Sequence, residues 1–474
     1  MTSRKMNPFF WILAVIILLI IILLLRYCKS PATPENPGSP ADTPRHYTDQ
    51  LVIFFKHRPS AAALTAIKTN MKKNGIDTAA ITTQHCDNCG DAEIELWQAP
   101  KIETYAVAEN VKGGASTGTG SNGVGEDSLA YYTQNYIISS PPDMPTKTRR
   151  DSFYIRRGTG SGPSHKKDTI KVAILDTGID PYLMNFPEFF WKNPGEIPAN
   201  GKDDDGNCLA DDINGWNFVA RNNVLTDDSY NGHGTHIALF ILNELRRNNT
   251  NTLQLMTLKT HDHKAEGSLF NIVCALLYAA NKGANVINAS WGFYSQHAPW
   301  HPLDSVITQL LAEKGILFIT AAGNKMEAAD DSAVKAGIPL AALRNLDIHH
   351  FYPACLGGKQ NNILVVTTTV DSMVSPTQNH SKKYVDLGVQ ADTLENGYLK
   401  FQVPFTTGQP VFVSGSSFAT AIATGKIAAN CSPALFKGGL NKTTFIDSLG
   451  ADVLQSAKLI QKGQVKQGRY IKHQ

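Results

Sequence analysis

From residue 170 onward the chain alternates short apolar segments with helical ones, and this alternation restricts its fold more than any other feature. The apolar segments lack a polar residue at every second position, which is typical of strands buried on both faces. Such strands alternate with helices in folds that have a parallel sheet covered on both sides. We therefore predict an α/β fold with a central parallel sheet. The predicted strands are residues 170–175, 253–259, 286–289, 316–320 and 363–367, and the predicted helices include residues 269–281 and 418–429.

Polar residues follow several of these strands and place a candidate site at one edge of the sheet. Asp176 follows the first strand, Ser290 the third, and Asn324 comes shortly after the fourth. In parallel sheets ligands bind at the carboxyl ends of the strands. We therefore expect these side chains to contribute to one site.

Asp176, His233 and Ser417 have the residue types of a nucleophilic triad. A serine hydroxyl is a poor nucleophile until an imidazole accepts its proton, and a carboxylate must hold that imidazole in one tautomer. His233 and Ser417 each stand at the start of a predicted helix. At Ser417, backbone N–H groups of the helix could stabilise an oxyanion. The alternatives are a turn or capping aspartate at Asp176, a mere helix cap at Ser417, and Ser416 as the nucleophile.

Two further residues have alternative interpretations. Asn324 follows Ala-Gly, so it is either a turn residue or an amide donor to a tetrahedral intermediate. The loss of one such donor costs an enzyme about 2.7–4 kcal/mol of transition-state stabilisation. His236 lies three residues after His233, without the spacing of four and the intervening glutamate of a zinc helix. We interpret His236 as a structural histidine.

These motifs together resemble those of the subtilisin-like serine peptidases (subtilases) over about residues 170–429. The resemblance implies a three-layer subtilisin-like fold and endopeptidase activity. It also implies that Ser290, Trp291 and Gly292 pair with an extended substrate, and we expect Trp291 to narrow or cover one side of the cleft. The matching segments are Asp176-Thr177-Gly178, His233-Gly234-Thr235-His236, residues 283–292, Ala322-Gly323-Asn324 and Gly415-Ser416-Ser417-Phe418-Ala419-Thr420.

Residues 200–212 form a dense acidic loop. Calcium requires six to eight oxygen ligands from flexible loops. The candidate ligands of a structural calcium ion are Asp203, Asp205, Asn207 and Asp211. The alternative is a solvated turn, and the chemistry itself requires no cofactor. We interpret the pair Asp227-Asp228, which precedes His233, as exposed charge.

The first 45 residues predict a membrane anchor. Residues 9–25 are continuously apolar and long enough to cross a bilayer as a helix, and a proline-rich spacer follows. Basic residues flank both sides almost equally, so the expected extracytoplasmic position of the catalytic domain rests on function rather than on charge.

The predicted domains follow from composition and, for the prodomain-like and subtilisin-like units, from the resemblance. They are a transmembrane anchor (1–29), a proline-rich linker (30–45), a small prodomain-like α+β unit (46–110), a flexible linker (111–168), the subtilisin-like domain (169–460) and a polar tail (461–474). In the small unit we expect strands at 51–55 and 94–97 and a helix at 60–74. Arg149-Arg150 and Arg156-Arg157 are either processing sites or solvated charge.

The chain has seven cysteines and a net charge of +3. We expect a local disulfide between Cys86 and Cys89 in an oxidising compartment, and free thiols at Cys208, Cys274, Cys355 and Cys431. The near-neutral charge argues against nucleic acid as a partner. We expect a membrane-tethered serine endopeptidase that acts on peptides or proteins. The alternatives are a catalytically silent peptide-binding relative and a ligase or cyclase that uses the same acyl-enzyme.

Overall fold

The computed structural model describes residues 45–55, 59–86, 94–106, 130–139, 168–244, 251–295, 302–370, 373–456 and 464–472. The predicted transmembrane helix at 9–25 and most of the proline-rich linker lie outside these ranges. Within these ranges, every helix is too short or too polar to cross a lipid bilayer.

The described residues before 140, here called the N-terminal unit, form an antiparallel sheet with one helix. Its elements are β1 (His46–Phe55), α1 (Ala61–Lys73), β2 (Thr82–His85), β3 (Ile94–Gln98) and β4 (Ala130–Ser139). Ser60 caps α1 by accepting a hydrogen bond from the Ala63 N–H. The buried face of α1, with Ile67 and Met71, packs on the strands. β1, α1 and β3 agree with the elements expected from the sequence.

The described residues from 168 onward form the large domain. Its strands are β5 (Thr169–Asp176), β6 (Gly215–Asn217), β7 (Thr252–Lys259), β8 (Glu266–Ser268), β9 (Val286–Ala289), β10 (Phe293–Tyr294), β11 (Leu317–Ala321), β12 (Phe351–Tyr352), β13 (Ile363–Val370), β14 (Met373–Val374), β15 (Leu387–Gln390), β16 (Thr393–Glu395), β17 (Tyr398–Gln402), β18 (Phe412–Ser414), β19 (Leu454–Ser456) and β20 (Arg469–Ile471). Its helices are α2 (His233–Asn243), α3 (Leu269–Asn281), α4 (Leu303–Ser305), α5 (Leu311–Glu313), α6 (Glu327–Lys335), α7 (Ser416–Asn430) and α8 (Lys442–Asp447). A π-helical turn, Val306–Leu310, joins α4 to α5.

The central sheet of the large domain is mainly parallel. Its strand order is β19-β20-β15-β13-β11-β9-β5-β7-β6, and β14 pairs with β13. Within the described residues, β19 and β14 are the antiparallel members. The predicted α/β fold with a parallel sheet is therefore confirmed, and β9 and α3 have the predicted bounds.

Helices cover both faces of this sheet. Successive strand residues point to opposite faces, and both faces carry apolar side chains that pack against helices. Ala173 and Leu175 of β5 belong to the core that contains α3. Val172 and Ile174 belong to the core that contains α2 and α7. The result is a helix–sheet–helix sandwich in which Asp176 lies at the carboxyl end of a central strand.

The expected flexible linker at 111–168 is wrong over residues 130–139, because these residues form β4. This strand pairs antiparallel with β1 on one side and with β8 of the large domain on the other. Local composition did not reveal the strand because its partners are more than 70 residues away in each direction along the chain.

The expected polar tail at 461–474 is also wrong in part. β20 adds to the central sheet beside β15 in parallel register. Ile471 is fully buried there. A strand of three residues is too short to show a periodic pattern, so only the sheet edge beside it explains its conformation.

Cysteine pairing differs from the prediction of a local bridge. Cys86, at the end of β2, forms a disulfide with Cys274 of α3 rather than with Cys89. Cys208 is also disulfide-bonded, so the expected free thiols at Cys208 and Cys274 are wrong. The free thiols among the described residues are Cys355 and Cys431.

Candidate active site

The Asp176 carboxylate holds the His233 ring at the carboxyl end of β5. His233 Nδ1 donates to Asp176 Oδ1 at 2.7 Å, and the Thr177 N–H donates to the same oxygen at 2.8 Å. Burial raises the pKa of the Asp176 carboxyl, but the charge and hydrogen bond of His233 outweigh it, so the pKa lies below its ordinary value. Asp176 is therefore an anion that fixes the ring with Nδ1 protonated.

The start of α2 is built from close backbone contacts. Gly232 precedes the helix with φ of 63°, a left-handed conformation that glycine adopts without strain. Gly234 lies so close to Gly178 that a Cβ would come within 2.3 Å of the Gly178 carbonyl oxygen. The Gly234 N–H donates to Thr177 Oγ1 at 2.9 Å. These contacts place His233 directly over the end of β5.

Asp227 is part of this arrangement, so its interpretation as exposed charge is wrong. Its Oδ2 accepts hydrogen bonds from the Thr235 N–H at 3.0 Å and from the Thr235 hydroxyl at 2.7 Å. It is buried, whereas the neighbouring Asp228 is largely exposed and pairs with Lys259. Asp227 thus satisfies orphan donors in the first turn of α2.

The nucleophile candidates stand in the first turn of α7. The Ser417 hydroxyl donates to the Ser290 carbonyl at 3.3 Å, and the Ser290 hydroxyl donates to the Ser417 carbonyl at 3.0 Å. The ring of the next residue, Phe418, lies 5.6 Å from the His233 ring between centroids. The first turn of α7 therefore lies against the histidine.

Ser416 is engaged elsewhere. Its hydroxyl donates to Asn324 Oδ1 at 2.9 Å and accepts the Gly323 N–H at 3.1 Å. Both hydrogen bonds tie it to the segment after β11. This geometry favours Ser417 over Ser416 as the nucleophile.

The side-chain amide of Asn324 is fixed at one end and open at the other. The Ser416 N–H donates to Asn324 Oδ1 at 2.8 Å. A backbone N–H can only donate, so the oxygen must face Ser416 and the NH₂ group must face away. That nitrogen is buried and has no hydrogen-bond partner among the described residues. This NH₂ group is therefore available to donate to a group that binds beside it.

A polar network that the sequence did not predict supports the Asn324 segment. The Tyr294 hydroxyl lies 2.7 Å from the Asn324 carbonyl, and Asn379 Nδ2 donates to the Ala322 carbonyl at 2.9 Å. Arg344 donates to the Tyr294 oxygen at 2.9 Å. Burial raises the pKa of Tyr294 to about 12, so it remains a donor at neutral pH. The separations along the chain left no local signal for this network.

Two further histidines, the buried His261 and the half-buried His236, lie near His233. The backbone N–H of His261 donates to the Asp176 carbonyl at 3.2 Å, and the His236 ring lies edge-on to Phe418. Burial lowers the pKa of both His236 and His261 to about 4. Both are therefore neutral at pH 7, in agreement with the structural interpretation of His236.

Gly292, in the expected substrate-binding segment, contacts an extended strand of this chain. The Gly292 N–H donates to the Ser139 carbonyl of β4 at 3.1 Å. On its other side β4 pairs with β8, with Ile138 opposite Gly267. β4 therefore lies extended between two edges of the large domain.

Trp291 does not narrow the cleft as expected. Its ring is fully buried in the core, 6.2 Å from the Phe318 ring and 6.3 Å from the His261 ring between centroids. In a pleated segment, successive side chains point to opposite faces. The backbone of this segment, rather than the indole, meets β4.

The acidic loop brings together a different carboxylate set from the expected one. Oxygens of Glu196, Asp203 and Asp205 lie within 4.8 Å of one another and could hold a metal ion. Asp211 is outside this group and accepts the N–H groups of Asn200 and Gly201. The side chain of Asn207 bonds to Asp212 and to the Leu209 N–H. The Lys282 ammonium donates to Asp205.

The chain is similar in sequence to known proteins. The sequence profile of the subtilase family matches residues 167–438, more than half of the chain. Subtilisin-like protease 1 of Plasmodium berghei is 30% identical over 211 residues, which are 42% of this chain and 32% of that protein. The cell wall-associated protease of Bacillus subtilis is 30% identical over 265 residues, 51% of this chain and 27% of that protein. The match thus spans about a third or less of the length of these relatives.

A solved structure shows the same fold. A mutant of the epidermin leader peptide processing serine protease from Staphylococcus aureus superimposes with a TM-score of 0.51 at 16% identity, covering 90% of this chain and 97% of that chain. The fold and the profile match lead to one conclusion. The chain belongs to the subtilase family of serine peptidases.

Proposed function

We propose that the chain is a serine endopeptidase that hydrolyses peptide bonds through an acyl-enzyme on Ser417. His233 Nε2 accepts the proton of the Ser417 hydroxyl as Oγ attacks the carbonyl carbon, and then donates it to the leaving amine. Asp176 keeps Nδ1 protonated and stabilises the imidazolium that forms. A water molecule, activated by His233, then hydrolyses the ester. For the attack, the Ser417 hydroxyl leaves the Ser290 carbonyl and turns towards the ring.

The oxyanion of the tetrahedral intermediate would be stabilised by two donors. One is the open Nδ2 of Asn324, and the other is the Ser417 N–H at the amino end of α7. The positive end of a helix dipole adds to this stabilisation. These donors are already oriented before substrate binds, which lowers the reorganisation that the reaction requires.

The observation that carries the proposal is the buried 2.7 Å hydrogen bond between Asp176 and His233. A buried carboxylate with a lowered pKa has the function of orienting an imidazole and stabilising its charged form. A peptide-binding protein without catalysis would not need this pair.

Labelling with a fluorescent phosphonate, which reacts with activated serines, tests the proposal. We expect covalent labelling of the parent chain and of Ser416→Ala, slow in the intact chain and faster once the N-terminal unit is removed, and none of Ser417→Ala. Equal labelling of Ser417→Ala and the parent, or loss of labelling only in Ser416→Ala, would refute the assignment of the nucleophile. Product analysis by mass spectrometry separates hydrolysis from ligation or cyclisation.

We propose further that the N-terminal unit blocks the cleft in the intact chain. β4 occupies the position of an extended peptide between β8 and Gly292, and Ile138 is fully buried there. Ile138→Asp should weaken this contact and raise both the labelling rate and the peptidase activity of the intact chain. The matched exposed change Lys72→Asp should have no such effect. Unchanged labelling of Ile138→Asp would contradict the blocking role.

A calcium ion in the acidic loop remains a proposal supported by its donor atoms. Carboxylate oxygens are the ligands that calcium prefers, and Glu196, Asp203 and Asp205 converge. A bound ion would hold residues 196–205 together and would take no part in the reaction.

We also propose a single membrane pass at residues 9–25, with the large domain outside the cytoplasm. The length and composition of the apolar run support the anchor. The Cys86–Cys274 disulfide supports an oxidising compartment. Fractionation of cells that express the full chain, compared with a chain starting at residue 30, tests the anchor; full-length protein in the soluble fraction would contradict it. Protease treatment of intact cells tests the side on which the large domain lies.

A further inference from the structure

The Cys86–Cys274 disulfide joins the N-terminal unit to the large domain independently of the polypeptide between them. Cys86 directly follows β2 of the N-terminal unit, and Cys274 lies in α3, 188 residues further along the chain. A cut anywhere in residues 140–167 would separate the two parts of the backbone but would leave this bond intact.

We propose that the Cys86–Cys274 disulfide is a redox-controlled tether, which keeps the N-terminal unit on the cleft after backbone cleavage until a dithiol reduces it. The proposal rests on the blocking role of the N-terminal unit described above. It makes activation depend on two events, a cut and a reduction. Neither event alone frees the cleft.

We expect the noncovalent contacts alone to let a cut unit dissociate on dilution. They include an apolar core to which both parts contribute, with Ile94 and Ile138 beside α3, the short β4–β8 pairing, the Ser139–Gly292 hydrogen bond and the Arg45–Glu266 ion pair. Arg45 is mostly exposed, so its ion pair contributes little. While the tether is intact, the cut unit stays beside the cleft at an effective concentration on the order of millimolar, whatever the protein concentration. At nanomolar protein, this difference decides whether the cleft stays covered.

The position of the disulfide suits a bond that a reductant can reach and break. Both cysteines line a cavity of about 380 Å³ between the N-terminal unit and the large domain. Phe54 and Ile94 form one side of the cavity, and α3 contributes to the other. Cys274 is almost fully buried, whereas Cys86 is only half-buried. A thiolate would therefore attack the sulfur of Cys86 from this cavity.

The reduction is a two-step thiol–disulfide exchange. A thiolate of the dithiol attacks Cys86 Sγ, the bond to Cys274 breaks, and Cys274 leaves as a thiolate that takes up a proton. The second thiol of the reductant, as its thiolate, then displaces Cys86 Sγ and forms the oxidised reductant. Two electrons and two protons pass to the protein, which gains two thiols.

The first test measures attachment without relying on activity. Cys208 is also disulfide-bonded, so the variants compared are Cys208→Ser, which keeps the tether, and Cys208→Ser with Cys274→Ser, which lacks it. Both carry Ser417→Ala and are cut with trypsin, which cleaves after Arg149, Arg150, Arg156 or Arg157. Size-exclusion chromatography at nanomolar concentration, with fragments identified by mass, measures retention of the N-terminal fragment.

We expect the fragment to stay on Cys208→Ser without reductant and to leave it in dithiothreitol. We expect it to leave the variant that lacks Cys274 in either condition. Loss from Cys208→Ser without reductant would overturn the tether. Retention on the variant that lacks Cys274 would show that noncovalent contacts suffice, which would also overturn it.

The second test uses the same pair with Ser417 intact. After cleavage, dithiothreitol should raise the specific activity of diluted Cys208→Ser at least tenfold, and should leave that of the double variant unchanged. An equal response of both variants would refute redox control through Cys274. If attachment behaves as expected but no activity appears in any sample, the proposed peptidase function fails and the tether stands.

Discussion

At the scale of single residues, Asn324 shows how one side chain can be held at one end and left open at the other. Its oxygen accepts from the Ser416 N–H, and its nitrogen is buried without a partner among the described residues. The desolvation of that nitrogen destabilises the resting protein. The same nitrogen can donate a hydrogen bond to negative charge that develops beside it in the transition state.

Asn324→Ala should lower kcat by about 100- to 1000-fold with a smaller change in KM, the effect known for removal of such a donor in subtilisin. The reason is that the donor acts mainly on the tetrahedral intermediate. Steady-state kinetics on a peptide substrate measures the effect. Ser416→Ala is the control, because its backbone N–H still orients the segment, and it should keep kcat within about tenfold of the parent. A kcat of Asn324→Ala equal to that of the control would rule out the donor role.

At the scale of elements, the start of α2 depends on a loop residue that composition alone assigned to the surface. Asp227 accepts two hydrogen bonds from Thr235 and one from the Ser229 hydroxyl. Since α2 begins with His233, this capping also fixes the position of the proposed base.

Asp227→Ala should lower the free energy of unfolding by about 1–3 kcal/mol, because it leaves buried donors of the first helical turn unpaired. Urea unfolding followed by circular dichroism measures the loss. Asp228→Asn, at the exposed neighbour, should change stability by less than about 0.5 kcal/mol. Equal losses of unfolding free energy in the two variants would show that the capping hydrogen bonds of Asp227 do not stabilise α2.

The acidic loop gives a second prediction at this scale. If calcium binds, chelation with EGTA should lower the melting temperature, since an ion at a hundredfold excess over its Kd stabilises by about 2.7 kcal/mol. Differential scanning calorimetry with EGTA, calcium or magnesium measures the response. Asp203→Asn should reduce it. Identical melting temperatures in EGTA and in calcium would contradict calcium binding and support the interpretation of the loop as a solvated turn.

At the scale of the whole molecule, buried neutral histidines link stability to pH. Burial lowers the pKa of His261 and His349 to about 4 from an ordinary value of 6.5. Between these values the unfolded chain binds protons that the folded chain does not bind. Stability should therefore be highest above pH 6.5 and fall as pH falls towards 4, by about 1.4 kcal/mol per pH unit for each histidine.

Urea unfolding at pH 7, 6 and 5 tests this linkage. His349→Gln should reduce the slope of the unfolding free energy against pH by the equivalent of one bound proton, about 1.4 kcal/mol per pH unit. His349 is the better choice than His261, because His261 contacts the Asp176 segment. An unfolding free energy that is constant from pH 7 to 5 would contradict the prediction.

The sequence predicted strands and helices correctly where a segment is long and strongly apolar. The strand ending in Asp176 and the helix α3 are buried along most of their length, so their composition reflects one environment. The same holds for the short segments that carry Asp176, His233 and Ser417, because close backbone approach and helix starts restrict the residues allowed there.

Composition, periodicity and short motifs were therefore enough to predict the fold class, the alternation of strands and helices and the candidate catalytic side chains. The folded molecule was needed to show that β4 pairs with β8 and contacts Gly292, that Cys86 pairs with Cys274, that Asp227 caps α2 and that Trp291 is in the core. Each of these depends on partners distant along the chain. Local pattern records burial and turn geometry, but it does not record which distant segments meet, because that choice is made by packing of the whole molecule.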